Sequence, residues 1–365
     1  MNSEIINQPF ENNLTVNTVL KDCRVVRHLD EKDWRLFVEK HPQGNIFHTP
    51  EMFQVFAQAK GFEPMLWAAV RNNGQIEALF LPVQVTLNNL LGPLTTRAIS
   101  YGSVLCSPTS EGRRALALLI NTYVHENRMT CLFTELRNIS DMQEEQPVLR
   151  EQGFLYEEYL NYLIDLKPSA EQVFQKIGAR TRKNIKRGLN KGEVTVQEVT
   201  DPSQLDICYH LLKKTYQAAR VPLANRSLFD AAFELLYSKQ MIRFVLAYVR
   251  DVPVAVSVEL LYKDVMIGWY GGTDRAYSKY IPYDLLMWQI LKWGAEHGYR
   301  LYDFGGAGKP DEEYGVRDHK GKFGGKLVGY GRNTYIHLPL TLWLSRQGYH
   351  FVRSFFNGRF LGLST

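Results

Sequence analysis

Apolar runs of strand length flank short polar turns at two places in the chain. "MLWAAV" and "IEALFLPVQV" lie on either side of "RNNGQ", where Asn-Gly supplies a hairpin turn. "SEGRRALALLINTYVHENRM" (Ser110–Met129) then sets Ala115, Leu118, Leu119 and Tyr123 along one side, which predicts a helix, and "TCLFTEL" predicts a buried strand. The order recurs. "IRFVLAYV", "RDVP" and "VAVSVELLY" read as strand, turn and strand, and "KDVMIGWYGG" as a further strand. "YDLLMWQILKWGAEHG" predicts a helix through Leu286, Ile290 and Trp293 with Gly298 closing it, and "YRLYDFGG" a strand after it. The fold expected is α+β, with a unit at about Met65–Leu136 repeated at about Ile242–Phe304. Hairpins and helices are common, so element order alone leaves a chance likeness open.

A third periodic segment lies between the units. In "SAEQVFQKIGARTRKNIKRGLNKG", Ser169 and Gln172 form a capping-box pair, and Val173, Ile177, Thr181, Ile185 and Leu189 step by four. The expectation is one helix with a narrow apolar stripe. Its other positions hold Lys176, Arg180, Arg182, Lys183, Lys186, Arg187 and Lys191. Cations so placed repel one another unless an anion lies near them. Either the face is solvated, or it binds phosphates, and Arg182, Lys186 and Arg187 are its candidates.

Composition narrows the class. At 365 residues and a formal net charge of +5, the chain is long enough for two domains and not basic enough overall to be a bulk nucleic-acid binder. We place a first domain at residues 1–165, a second at 166–332, and a closing helical segment at 333–365 packed back on the first. Cys23, Cys106, Cys131 and Cys208 are scattered without metal-ligand spacing, so no metal or cofactor is called for and a reducing, cytoplasmic setting is expected. The first ~20 residues are polar, with no leader pattern. The closing segment mixes Trp343, Phe351, Phe355 and Phe356 with Arg346, Arg353 and Arg359, a composition suited to helix packing or to peripheral contact with the inner face of a membrane.

"YDFGGAGKPDEEYGVRDHKGKFGG" (Tyr302–Gly325) carries seven glycines and three lysines, which predicts a loop. It is neither a Walker A loop, since Pro310 follows Gly308-Lys309, nor a dinucleotide fingerprint, since no helix pattern follows its glycines. Asp303 ends a strand between Tyr302 and Phe304, where it either anchors the loop or does chemistry.

"GWYGG", "YDLLMWQILKWGAEHG", "YDFGGAG", "HKGKFGG" and the basic "ARTRKNIKRGLNKG" resemble the C-terminal half of the FemA/FemB/FemX-type peptidyl aminoacyltransferases. The resemblance covers about Ala170–Arg332, with a weaker echo at "NIFHTPEMFQVFAQAKGFEP". Its most specific element is Phe-Lys-x-x-Phe before a glycine pair. Here it stands as His319-Lys320-Gly321-Lys322-Phe323-Gly324-Gly325, with histidine replacing the first aromatic.

The resemblance implies two tandem GNAT-like domains. It also implies transfer of an amino acid from aminoacyl-tRNA to an amine of a UDP- or lipid-linked muropeptide. Lys320 would meet the oxyanion, with Asp303 as a second catalytic candidate. Gly305 and Gly306 would give a backbone surface for substrate, with His319 and Phe323 beside it, and Tyr216 and Tyr270 would line the acceptor pocket. Two other classes stay open: a GNAT-type N-acyltransferase using acyl-CoA on an amino sugar or other small amine, and a non-catalytic binder of lipid-linked precursors. Acyl-CoA enzymes of this fold hold pyrophosphate on a Gly-x-Gly turn ahead of a helix. The corresponding places read "TDRAYSKYIPYDLL" and "LCSPTSEGRRAL", without that turn.

Overall fold

A computed structural model describes residues 22–86 and 92–345. The first half contributes β1 (Cys23–Val26), β2 (Phe62–Pro64), β3 (Trp67–Arg71), β4 (Ile76–Phe80), β5 (Val83–Thr86), β6 (Thr96–Ser100), β7 (Val104–Cys106), β8 (Phe133–Arg137) and β9 (Leu155–Glu157). The second contributes β10 (Leu160–Asp165), β11 (Val194–Glu198), β12 (Ile242–Val249), β13 (Val252–Tyr262), β14 (Val265–Thr273), β15 (Leu301–Gly306) and β16 (Lys326–Gly329), with β17 (Arg332–Ile336) after them. The helices used below are α1 (Pro50–Gln58), α2 (Ser110–Asn127), α3 (Ala170–Lys176), α4 (Ala179–Lys191), α5 (Leu205–Ala219), α6 (Arg226–Leu236), α7 (Pro282–Glu296) and α8 (Gly315–Gly321).

The repeated element order is a repeated topology. In the second half the order is β11-β12-β13-β14-β15-β10-β16. In the first half, two sheets run β1-β3-β4-β7 and β2-β5-β6-β8-β17-β9. The pairs β2 and β3, β4 and β5, and β6 and β7 are each separated by only a few residues, so three long strands break midway and link the two sheets. Both halves have one parallel pair, β6 with β8 and β14 with β15, and a long helix, α2 or α7, makes each crossover. This is a tandem GNAT-like α+β fold.

The expected boundary at residue 165 does not match the sheets. β9 and β10 are separated by two residues, yet β9 pairs with β17 in the first half while β10 lies between β15 and β16 in the second. β16 and β17 part in the same way at Tyr330-Gly331. Each half therefore receives an interior strand from the chain segment that has just left the other. Residues 333–336 do return to the first half, but as part of a strand.

The predicted basic helix is two helices. Ile177 and Gly178 are extended (ψ 139° and 135°), so α3 stops and α4 restarts. The break lets Gly178 N–H donate to the Lys322 carbonyl at 2.9 Å. Thr181 and Ile185 are buried as the stripe predicts, whereas Leu189 is 43% exposed.

One core joins the halves, with Met52, Phe56 and Ile99 in the same cluster as Phe229, Phe233 and Phe244. The four cysteines are free thiols. Among the described residues no helix is long and apolar enough to cross a membrane, and no group of His, Cys, Asp or Glu is placed to hold a metal. Leu340, Trp343 and Leu344 are exposed, while Ser345 ties this segment to the Leu94 carbonyl. Phe351, Phe355, Phe356, Arg346, Arg353 and Arg359, and the first ~20 residues, lie outside the described residues.

Candidate active site

The end of β15 builds the site. Asp303 is 3% exposed and accepts the Gly305 N–H at 2.7 Å, with the Asn161 side-chain amide 3.5 Å from both its oxygens. Gly305 takes a positive φ of 72°, so the backbone turns there and presents its carbonyls sideways. Burial raises the Asp303 carboxyl to about 6, offset by that N–H and by Lys320. Asp303 does not line the neighbouring cleft. These contacts are those of an anchor for the turn.

Lys320 is not on a loop. It sits in the last turn of the short helix α8, the one helix interrupting the glycine-rich segment that was expected to be loop throughout. Its ammonium donates to the carbonyls of Phe304 (2.5 Å) and Gly306 (2.8 Å). An ammonium has three donors, so one N–H remains for a ligand. Burial lowers the Lys320 pKa to about 8, against the pull of Asp303.

A cleft of about 340 Å³ opens beside it. Tyr216, Tyr270, Tyr283, Tyr314, His319, Lys320 and Gly306 all face it. Tyr216 and Tyr270 stand with ring centroids 5.8 Å apart. The structure thus brings together Lys320, His319, Gly306, Tyr216 and Tyr270 on one cleft, with Gly305 beside the Lys320 ammonium. Phe323 is different: it is fully buried, packs on Phe304 and His319, and supports the site from the core. The glycine pair after it is there for close approach, since a Cβ on Gly324 (φ 80°) would collide with the Lys176 carbonyl.

Two flanking features enlarge the site. A second cleft, of about 730 Å³, runs between the halves, shares Val221 and Tyr270 with the first, and carries Lys60, Arg97 and Arg137. Arg137 is held by Glu135 at 2.6 Å, while the buried Arg97 Nε has no hydrogen-bond partner among the described residues. These strand arginines escaped the sequence reading because isolated cations in "TTRAIS" and "TELRN" look like exposed strand positions. The basic helix α4 does not line either cleft. Arg182 is spent on the end of α3, donating to the carbonyls of Gln175 (2.5 Å) and Ile177 (2.9 Å). Lys186 lies over the Phe174 ring at 5.6 Å, and Arg187 reaches Asn184, at 3.4 Å.

The start of α7, where a pyrophosphate would sit in an acyl-CoA enzyme, is unsuited to one. A 3-10 turn (Arg275–Tyr280) precedes it, Pro282 removes an N–H, and Asp284 puts a carboxyl in the first turn. In the first half, Thr109 already caps Gly112, and Glu111 follows.

A family described as acetyltransferase (GNAT) domain matches residues 176–316. No curated protein matches the chain by sequence. Among solved structures, FemX superposes with a TM-score of 0.68 at 15% identity, over 88% of this chain and 100% of that one. L-PGS from Bacillus licheniformis gives 0.55 at 13%, over 88% and 97%. A tandem GNAT protein from the clavulanic acid biosynthesis pathway gives 0.53 at 11%, over 87% and 99%. At these identities the likeness is one of fold.

Proposed function

We propose that this chain is an acyltransferase that moves an aminoacyl group from aminoacyl-tRNA to an amine of a UDP- or lipid-linked muropeptide, a peptidoglycan precursor. The observation that carries the reading is the Lys320 ammonium, fixed by two carbonyls at the mouth of an aromatic cleft and matching the lysine of the Fem-type signature. When an amine attacks the ester carbonyl, charge develops on the carbonyl oxygen. A positioned cation stabilises that charge without having to reorganise. The tyrosine-lined cleft suits the peptide of the muropeptide acceptor, and Lys60, Arg97 and Arg137 in the adjoining cleft suit the phosphates of its UDP- or lipid-linked end. The exposed cations of α4 suit the tRNA backbone, next to the segment that carries Lys320.

The test is direct. Purified protein is incubated with charged tRNA plus muropeptide precursor, and separately with labelled acyl-CoA plus amino sugars. Product in the first mixture supports the reading; product only in the second replaces it with a small-molecule N-acyltransferase.

A further inference from the structure

Beneath the cleft lies a carboxylate that the mechanism above does not use. Glu259, on β13, is 0% exposed, and its Oε2 has no hydrogen-bond partner among the described residues. Its Oε1 accepts the Ser257 hydroxyl at 2.5 Å. Ser257 lines the cleft, as do Tyr283 and Tyr302. The Tyr283 hydroxyl stands beside Gly271, the cross-strand partner of Ser257, and the Tyr302 hydroxyl beside Gly268, the partner of Glu259.

The strand opposite is cut away to admit these hydroxyls. Ser257 pairs with Gly271 and Glu259 with Gly268, and a bulge at Trp269 separates the two pairs. A methyl on Gly271 would collide with the Tyr283 hydroxyl, and one on Gly268 would sit 2.6 Å from the Tyr302 hydroxyl and 3.7 Å from Glu259 Oε2. The glycines of "GWYGG" thus clear a hydroxyl-lined path from the cleft floor to a buried acid.

We propose that Glu259 is the proton acceptor of the transfer step, reached from the cleft through Tyr283 and Ser257. This rests on the aminoacyl-transfer reading. The acceptor amine arrives as an ammonium and must lose a proton to expose its lone pair. That proton enters the Tyr283 hydroxyl, whose own proton passes to Ser257, and that of Ser257 to Glu259. The C–N bond then forms, the C–O bond to the tRNA ribose breaks, and the second nitrogen proton goes to the departing ribose oxygen. The charges facing Glu259 suit the task. Arg243 stands opposite it on β12, bound to Glu198 (2.6 Å) and over Trp293 (3.6 Å), and its charge pulls the carboxyl down against the larger effect of burial, while Tyr302 on β15 and Tyr283 on α7 are uncharged. Burial raises the carboxyl to about 7, where it can take a proton and return it.

Two measurements test this on the full chain. The first needs no substrate: the protonated-carboxyl infrared band is followed from pH 5 to 9 in the wild type and in Glu259→Gln. A band that titrates near neutrality and is missing from the variant is expected. A carboxyl that stays in one protonation state over the whole range overturns the relay, whatever the cleft binds. The second is kcat against pH with charged tRNA and precursor. Glu259→Gln, Ser257→Ala and Tyr283→Phe should each lower kcat by roughly 10²-fold with KM little changed, and should abolish the rise in rate near pH 7. Wild-type-like pH profiles in the two hydroxyl variants overturn the relay even if Glu259→Gln does not fold. A wild type that titrates normally but transfers nothing from tRNA would overturn the transfer reading instead.

Discussion

At the scale of single residues, Lys320 is where the fold and the proposed chemistry would meet. Removing its charge should lower kcat by roughly 10²–10³-fold, the loss found when one oxyanion donor goes. Its ammonium also satisfies the carbonyls of Phe304 and Gly306, so Lys320→Ala should cost about 1–3 kcal/mol of stability as well, measurable by urea unfolding. Lys320→Arg should recover little rate, because a planar fork cannot sit between two carbonyls placed for an ammonium. With the lysine at about 8, kcat should also fall above that pH as the cation is lost. Glu259 gives a second, independent reading. Its folded pKa of about 7 lies above the ordinary 4.5, so the folded state holds a proton that the unfolded chain has released between those values. Stability from this group is complete below pH 4.5 and is lost as pH rises through 7. The melting temperature of the wild type should therefore drop relative to Glu259→Gln between pH 4.5 and 7. A constant difference across that window would contradict the raised pKa. Glu259 was hidden in the sequence because "VAVSVELLY" reads as an apolar strand with two polar positions, Ser257 and Glu259. The signal was there: a lone carboxylate inside an apolar run has to be neutral or partnered.

At the scale of elements, α4 shows what periodicity can and cannot say. The step-by-four stripe correctly put Thr181 and Ile185 inside. It could not show the break at Ile177–Gly178, because both sides keep the same hydrophobic phase and only the backbone bond from Gly178 to Lys322 requires the interruption. The break changes which cations are free. Arg182 is committed to the end of α3, Lys176 pairs with Asp165 at 3.6 Å, and Lys191 with Glu193 at 3.8 Å. Charge reversal at Arg182 would mix loss of a helix contact with loss of anion binding, so Lys186→Glu with Arg187→Glu is the cleaner pair. That double variant should keep its melting temperature within a few degrees, bind tRNA more weakly, and show a shallower dependence of affinity on salt. Equal affinity and equal salt slope would leave α4 as a solvated face. The glycine-rich segment was legible in the same partial way. The Gly305 turn and the Gly324 contact follow from residue type, but the short helix α8 does not, since Gly315 and Gly321 at its ends argue against a helix.

At the scale of the whole molecule, the exchange of β10 and β17 decides how the chain should unfold. Element order showed two units, but strand pairing over more than a hundred residues leaves no local trace, so the crossing of the connections at 158–159 and 330–331 could not be read from the sequence. Its consequence is mechanical. β8 pairs with β17 across residues 133–137 and 332–336, and β15 pairs with β10 across 301–306 and 161–165. Neither half can keep its sheet if the other segment of chain is withdrawn, and the core containing Phe56 and Phe229 spans both. Two tandem domains joined by a simple linker would unfold in two steps when their stabilities differ. Here one step is expected: urea unfolding followed by circular dichroism and by tryptophan fluorescence should give coincident transitions. A chain ended after Gly331 would leave β8 and β9 without the strand that joins them. Its second half, though complete in sequence, should lose stability together with the first, and the exposed edges should favour aggregation. Two resolved transitions in the full chain, or a truncated chain that still unfolds cooperatively at the wild-type midpoint, would show that the exchanged strands do not couple the halves.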